Sequence, residues 1–219
     1  MSAQKPIEQY MALALQTIMR GAHKREDIQR NIDHIGEVAR AAVWLSGIDL
    51  PVRMLALPEG ALQGFTDEIF DWDHVDYVNR MAIDIPGKET EELGKLAKEL
   101  DVYIIAQAKA KHPQFPERFF NCAFIINPDG DVIHVHHKMQ VFAREHSTVP
   151  HDVWDRWVEI YGAGLDAFFP VVETELGRIG TIVCMEGSYP ETARGLAMNG
   201  AEIMYRPSYP EPYVGNGLW

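Results

Sequence analysis

A strand that stops at a cysteine is the feature of this chain that most limits its fold. The apolar run Gly180–Val183 is followed directly by Cys184, and the turn Met185–Tyr189 leads into a helix that begins near Pro190. A strand, a tight turn and a helix in succession are typical of α/β folds, which keep functional groups at the carboxyl edges of their strands. The free N–H groups at the start of that helix would favour a thiolate. The alternative is a buried cysteine that packs as a small apolar side chain.

Two further predicted strands end in charged side chains. Val52–Glu59 is an apolar strand that ends in a carboxylate, and Val132–Lys138 ends in a lysine. With the cysteine, these strand ends supply a nucleophile, a carboxylate that carries protons and a cation for an oxyanion. This set of groups indicates acyl transfer through a thioester. Taken singly, Glu59 can be a solvated residue or a helix cap, and Lys138 can be a surface lysine.

The motifs around these residues resemble one known family. Leu57–Glu59 with Gly64–Phe65, the strand end at Lys138, and the run Cys184–Glu191 are similar in order and interval to the nitrilase superfamily of carbon–nitrogen hydrolases. The resemblance extends from about Tyr10 to the last residue. It implies an α/β fold of the four-layer αββα type, in which two sheets pack face to face between helices.

The same resemblance implies catalytic roles for Glu59, Lys138 and Cys184. Glu59 would accept the thiol proton of Cys184, and the thiolate would attack the substrate carbon. Lys138 and the backbone N–H of Met185 would stabilise the tetrahedral oxyanion. Glu59 would then protonate the leaving amine and activate water against the thioester. No cofactor is implied.

Two other residues are candidates for the active site. The family often carries a second glutamate eight residues after the lysine, but this chain has His146 there and Glu145 one residue earlier. A shift of one residue in the loop would bring Glu145 to the expected place, and the alternative is a carboxylate on the loop surface. Arg206 follows a strand where the family often lines its substrate pocket. It can bind a substrate carboxylate or pair with a buried acid such as Glu186.

The residue after the cysteine bears on the substrate class. Nitrilases proper tend to carry tryptophan there, whereas this chain has Met185. The run Cys184–Glu191 is similar to the aliphatic amidase and formamidase branch, so we expect a small amide as the substrate, with a nitrile as the alternative. A second hypothesis is a non-catalytic member that acts in assembly or binding. A third is a cysteine-based acyltransferase, for which the sequence reveals no acceptor site.

The order of the predicted elements favours a mixed sheet with helices on its faces. Apolar residues recur at helical spacing in 26–45 and 90–100, and a third helix is predicted over 191–198. The turn Asn127–Gly130 predicts a hairpin, and a second hairpin is predicted at Leu176–Arg178. Strands are predicted over 10–15, 52–59, 102–106, 119–126, 132–138, 168–173, 179–184 and 202–205.

Composition and charge argue against several classes of partner. The formal net charge of −12 over 219 residues argues against nucleic acid and against an anionic membrane surface. The N-terminus lacks an apolar signal region, and no run approaches the roughly 20 apolar residues of a membrane span. The two cysteines fit a reducing, cytoplasmic setting better than a disulfide framework, since Cys122 lies within a predicted strand.

The run His134–His137 contains a possible metal pattern, because His134 and His136 would share one face of a strand. No second cluster of His, Cys or Asp with ligand spacing supports it. We therefore predict no metal site, and we interpret these side chains as solvated or hydrogen-bonded strand histidines.

Residues 1–219 are expected to form a single carbon–nitrogen hydrolase domain. Relatives normally continue past the position of Trp219 into another helix and several strands, so we expect the domain to lack its C-terminal part. Open sheet edges and uncovered apolar faces favour association. The predicted helix 191–198, with Ala193 and Leu196, offers an apolar surface, and we expect a homo-oligomer of at least two copies. These positions can instead pack on their own sheet.

Overall fold

Backbone hydrogen bonds divide the strands into two separate sheets. The structure is a computed structural model, and it describes residues 7–209. The first sheet contains five neighbouring strands and the second contains three. In spatial order the first sheet consists of β1 (Met11–Ala14), β2 (Val52–Ala56), β3 (Tyr103–Lys111), β4 (Phe119–Ile126) and β5 (Val132–His137), and the second of β6 (Val171–Thr174), β7 (Gly177–Thr181) and β8 (Ile203–Tyr205).

Both sheets mix parallel and antiparallel pairs. β1, β2 and β3 run parallel, and β4 and β5 are each antiparallel to the preceding strand. In the second sheet β6 and β7 form an antiparallel hairpin, and β7 pairs in parallel with β8. Both predicted hairpin turns are present: Gly130 and Gly177 have φ values of +92° and +120°, which favour glycine. The expected mixed α/β arrangement is confirmed.

Helices cover the outer face of each sheet. In α1, apolar residues such as Ile28, Ile32 and Ile35 recur at helical spacing and are buried in the core beneath the first sheet. The helices of residues 7–209 are α1 (Asp27–Ser46), α2 (Thr66–Phe70), α3 (His74–Arg80), α4 (Lys88–Leu100), α5 (Trp154–Tyr161) and α6 (Pro190–Met198).

The two sheets pack face to face, and α6 covers the second one. Met54 and Ile105 of the first sheet share an apolar cluster with Ile179 of the second. On the outer side, Leu196 of α6 is fully buried, and its Cδ2 lies 2.8 Å from where a Cβ on Gly180 would stand. Leu196 therefore packs inward on its own sheet. The order of layers is helix, sheet, sheet, helix, as the resemblance implied.

The face of the first sheet that meets the second changes character along its strands. In β3, Tyr103 and Ile105 belong to the apolar cluster between the sheets, whereas Gln107 two residues further on is polar. In the antiparallel β4, Ile125 is apolar and Asn121 is polar. Alternate residues of a strand share a face, so Gln107 and Asn121 lie beyond the apolar cluster at one end of the intersheet space.

The predicted end of the strand before Cys184 is wrong, and three short helices were not predicted. The strand expected to reach Cys184 ends at Thr181, and Cys184–Ser188 forms a 3-10 turn. The short helices α2, α3 and α5 were not predicted, because each is too short for a clear helical period. No helix in the described part of the chain is long and apolar enough to cross a membrane.

Candidate active site

Cys184 lies in a strained turn between β7 and α6. Its φ of +46° is in the left-handed region, which side chains with a Cβ rarely adopt. The segment after β8 holds this turn on both sides: the Cys184 N–H donates to the carbonyl of Pro207 at 2.9 Å, and Arg206 Nε donates to the carbonyl of Cys184 at 2.8 Å. Strain at a half-buried thiol is typical of a functional group that the surrounding structure holds in place.

The environment of Cys184 keeps its thiol protonated at neutral pH. Burial and the negative charge of Glu59 raise the pKa of Cys184 to about 11, although Lys138 and a hydrogen bond with Ser208 act in the opposite direction. A thiol with this pKa becomes a nucleophile only when a neighbouring base removes its proton. Glu59 also hydrogen-bonds the thiol and is therefore in position for that proton.

Glu59 is a buried carboxylate just beyond β2. Its Oε1 accepts hydrogen bonds from Lys138 Nζ at 3.2 Å and from Asn121 Nδ2 at 3.0 Å. Its Oε2 accepts the backbone N–H of Tyr209 at 3.2 Å. Two residues earlier, the backbone N–H of Leu57 still donates to the carbonyl of Ile105 in β3. This pairing fixes the position of the backbone just before Glu59.

Lys138 follows β5 directly and is almost fully buried between two carboxylates. Its backbone N–H donates to the carbonyl of Asn121, which fixes its register beside β4. Its Nζ lies 3.2 Å from Glu59 and 2.5 Å from Glu145. Burial lowers the pKa of Lys138, but the charges of these two carboxylates outweigh that effect and hold the pKa above its usual range. Lys138 is therefore a permanent cation at this site.

Glu145, and not His146, faces the lysine. Glu145 is buried, and besides Lys138 it accepts hydrogen bonds from Asn121 at 2.7 Å and from Ser147 Oγ at 2.6 Å. Burial raises the pKa of Glu145, but Lys138 and further donors outweigh it, so the pKa is lowered and the carboxylate stays charged. The neighbouring His146 instead lies 3.5 Å from the exposed Asp71.

A layer of amides beneath the two carboxylates was missed by sequence reasoning. Asn121 Nδ2 donates to both Glu59 and Glu145, and its Oδ1 accepts from Gln107 Nε2 at 2.6 Å. The oxygen of Gln107 in turn accepts the N–H of Gly60 at 2.8 Å. The one signal in the sequence was the isolated asparagine in the otherwise apolar strand β4. These bonds satisfy buried polar groups and fix the spacing of the carboxylates.

The other candidate residues lie near the turn at Cys184 or between the two sheets. Arg206 contacts the backbone of Cys184, and the backbone of Met185 follows the thiol within the 3-10 turn. His134 pairs with Thr181 and His136 with Glu186 across the two sheets. No group of three or more potential ligands within residues 7–209 is arranged to hold a metal ion.

The geometry thus places the Cys184 thiol beside the carboxylate of Glu59, and Lys138 between that carboxylate and Glu145. The family model for carbon–nitrogen hydrolases matches residues 12–219. This chain belongs to the carbon–nitrogen hydrolase family. The resemblance deduced from the motifs at Glu59, Lys138 and Cys184 is confirmed at the level of the family.

Several carbon–nitrogen hydrolases are similar over most of this chain. A formamidase from Helicobacter acinonychis (strain Sheeba) is 27% identical over 206 residues, which are 93% of this chain and 54% of the formamidase. The chain therefore spans about half the length of this relative.

Solved structures show the same fold. A carbon–nitrogen hydrolase from Helicobacter pylori G27 superposes with a TM-score of 0.65 at 22% identity, covering 89% of this chain and 58% of that one. A variant of the amidase from Nesterenkonia sp. AN1, with the acetamide moiety of fluoroacetamide bound covalently to its active-site cysteine, gives a TM-score of 0.57 at 19% identity. The match covers 87% of this chain and 63% of the amidase.

Proposed function

We propose that this chain carries the site of a thiol-dependent amidase that hydrolyses a small amide to a carboxylate and ammonia. The observation that carries the proposal is the buried contact of Glu59 with both Lys138 and the Cys184 thiol. A similar protein is a formamidase, and a structural neighbour is an amidase whose cysteine carries an acetamide moiety. Both support an amide over a nitrile as the substrate.

The first half of the proposed reaction forms a thioester. Glu59 accepts the thiol proton of Cys184 while the sulfur forms a bond to the amide carbon. The resulting oxyanion is stabilised by Lys138 and by the backbone N–H of Met185. The tetrahedral intermediate collapses, its C–N bond breaks, and the protonated Glu59 gives its proton to the nitrogen, which leaves as ammonia.

The second half returns the enzyme to its starting state. Glu59 accepts a proton from a water molecule as the water oxygen forms a bond to the thioester carbon. The C–S bond breaks, the acid is released, and Glu59 returns the proton to the sulfur of Cys184. Glu145 holds Lys138 in place throughout, because its carboxylate lies 2.5 Å from Nζ. No cofactor takes part in these steps.

Ammonia release by the full chain tests this function. We expect turnover of formamide, acetamide or propionamide that is abolished in Cys184→Ala and largely retained in Cys122→Ala. Cys122 is the matched control because it is a fully buried strand residue whose pKa is raised by burial. Iodoacetamide should label Cys184. Absence of ammonia from amides and nitriles alike, with the fold intact, would favour the alternative of a non-catalytic member that acts in binding or assembly.

We also propose that residues 1–219 act as one domain within a cytoplasmic homo-oligomer. The free thiol of Cys184 fits a reducing compartment. On α6, Met198 is 70% exposed, and Tyr189 just before the helix is 39% exposed. These apolar side chains support a self-association surface. Light scattering at micromolar concentration should give at least twice the chain mass of 24.8 kDa, and a monomer mass would contradict the proposal.

A further inference from the structure

Glu186 is a fully buried carboxylate that the proposed reaction does not use. It lies two residues after Cys184, within the same 3-10 turn. Its Oε2 accepts the backbone N–H of Val183 at 2.6 Å, and its Oε1 accepts the backbone N–H of Met139 at 2.6 Å. His136 Nε2 lies 2.9 Å and 3.1 Å from the two oxygens. A carboxylate removed from water requires such a complete set of donors.

The two backbone donors flank two residues of the site. Val183 immediately precedes Cys184, and Met139 immediately follows Lys138. Cys184 follows the second sheet and Lys138 follows the first, so no backbone ladder joins them. Glu186 thus bridges the two chain segments that carry the thiol and the ammonium group.

The orientation of His136 depends on the same carboxylate. His136 projects from β5 into the intersheet space and is 1% exposed. Its Nδ1 is buried and has no hydrogen-bond partner within the described residues, whereas its Nε2 faces Glu186. The ring therefore acts as a donor to Glu186 through Nε2, and it joins the two backbone N–H groups in holding the carboxylate.

We propose that Glu186 is a positioning residue that sets the distance between the Cys184 thiol and the Lys138 ammonium group, with His136 as its orienting partner. The inference rests on the proposed function, in which Cys184 is the nucleophile and Lys138 stabilises the oxyanion. A displacement of about 1 Å between such groups can cost about 100-fold in rate. Substrate binding depends much less on that distance, so a displacement should lower kcat and leave KM little changed.

Glu186→Gln is the first test, with Glu89→Gln as the matched control. A glutamine offers one acceptor oxygen, so one of the two backbone N–H groups would face its NH₂ group. Glu89 is also buried and carries a bidentate bond from Arg25, but it lies on α4 outside the site. Two rates are measured on each full-chain variant: amide turnover, and alkylation of Cys184 by iodoacetamide followed by mass spectrometry.

We expect Glu186→Gln to lower kcat and the alkylation rate by at least about tenfold, with KM within about threefold of wild type. Glu89→Gln should leave all three within about twofold. The alkylation rate separates the two proposals. If wild type turns over no amide but Glu186→Gln is alkylated slowly, the positioning role stands and the amidase proposal is overturned. Equal alkylation rates and equal kcat in the two variants would overturn the positioning role.

A pair of His136 variants covers the case in which Glu186→Gln does not fold. His136→Phe keeps a ring but removes the donor to Glu186, whereas His136→Gln keeps an N–H donor. We expect a several-fold loss of kcat and of Cys184 alkylation in His136→Phe, with partial recovery of both in His136→Gln. Loss of stability alone, with kcat per folded molecule unchanged in both variants, would contradict the proposal.

Discussion

Lys138 Nζ lies 2.5 Å from Glu145, a shorter distance than its 3.2 Å contact with Glu59. The glutamate that hydrogen-bonds the Cys184 thiol is Glu59, the more distant of the two partners of Lys138. Glu59 can therefore accept a proton from Cys184 while the ammonium group keeps a charged neighbour. In the proposed reaction, this arrangement keeps Lys138 cationic in both protonation states of Glu59.

Glu145→Gln should lower kcat by about 100-fold, because the lysine then loses its closest anchor and moves toward Glu59. KM should change much less. Asp67→Asn is the matched control, since Asp67 is a buried carboxylate that pairs with another buried lysine, Lys109. Both variants break a buried ion pair, and each should lose about 3–5 kcal/mol of unfolding free energy. Steady-state kinetics on folded protein should show the rate defect in Glu145→Gln alone.

Lys138→Ala should lose about 2.7–4 kcal/mol of transition-state stabilisation, which is the usual cost of removing one oxyanion donor. The measurement is kcat/KM for a small amide, corrected for the folded fraction by circular dichroism. Lys111→Ala serves as the control, because Lys111 is a partly exposed lysine at the carboxyl end of β3 that pairs with Asp84 at 3.8 Å. A Lys138→Ala enzyme with near-normal kcat would remove this residue from the mechanism.

Gly187→Ala should lower kcat by about tenfold through the backbone of the nucleophile. A Cβ at Gly187 would lie 2.4 Å from Arg206 Nε, so the arginine would have to move and lose its bond to the Cys184 carbonyl. Gly164→Ala is the control, because a Cβ there meets no atom within 4 Å. If both variants keep wild-type kcat, the Arg206 contact does not position the thiol.

Acid should destabilise the protein partly through His134. Burial, together with the nearby His136, lowers the pKa of His134 from 6.5 to about 3. As pH falls, His134 binds a proton near pH 6.5 in the unfolded chain but only near pH 3 in the folded protein. The stabilising contribution is complete above pH 6.5, and it is lost as pH falls toward 3, by at most about 1.4 kcal/mol per pH unit.

Urea unfolding between pH 7 and pH 4 measures this dependence. His134→Gln retains a hydrogen-bonding side chain opposite Thr181 but does not titrate, so its unfolding free energy should fall less steeply with acid than that of wild type. Parallel slopes for the two proteins would show that His134 does not contribute.

Sequence patterns predicted the strands that precede Glu59, Lys138 and Cys184, because the order of strands and turns depends on local sequence. β4 was predicted with its observed bounds, since its eight buried residues are covered by helices on one side and by the second sheet on the other. The identification of Glu145 required only a shift of one residue in a loop. The helix α5 was missed because its eight residues are too few for a clear helical period.

The supporting shell of the site could not be predicted from local patterns. Gln107 and Asn121 are distant in the chain from Glu59, and only the register of three strands brings them together. Glu186 was considered as a partner for Arg206, but it bonds instead to His136 and to two backbone N–H groups from segments that follow different sheets. Such contacts depend on tertiary packing, which hydrophobic periodicity does not encode.

The left-handed backbone at Cys184 favours a glycine there for stability, whereas the proposed reaction requires a cysteine. A glycine adopts φ near +46° without the cost of about 1 kcal/mol that a Cβ incurs, so Cys184→Gly should unfold at a higher urea concentration than Cys184→Ala. Chains that lose the need for a nucleophile would then drift toward glycine at this position. A lineage that retains the cysteine is therefore expected to use its thiol still.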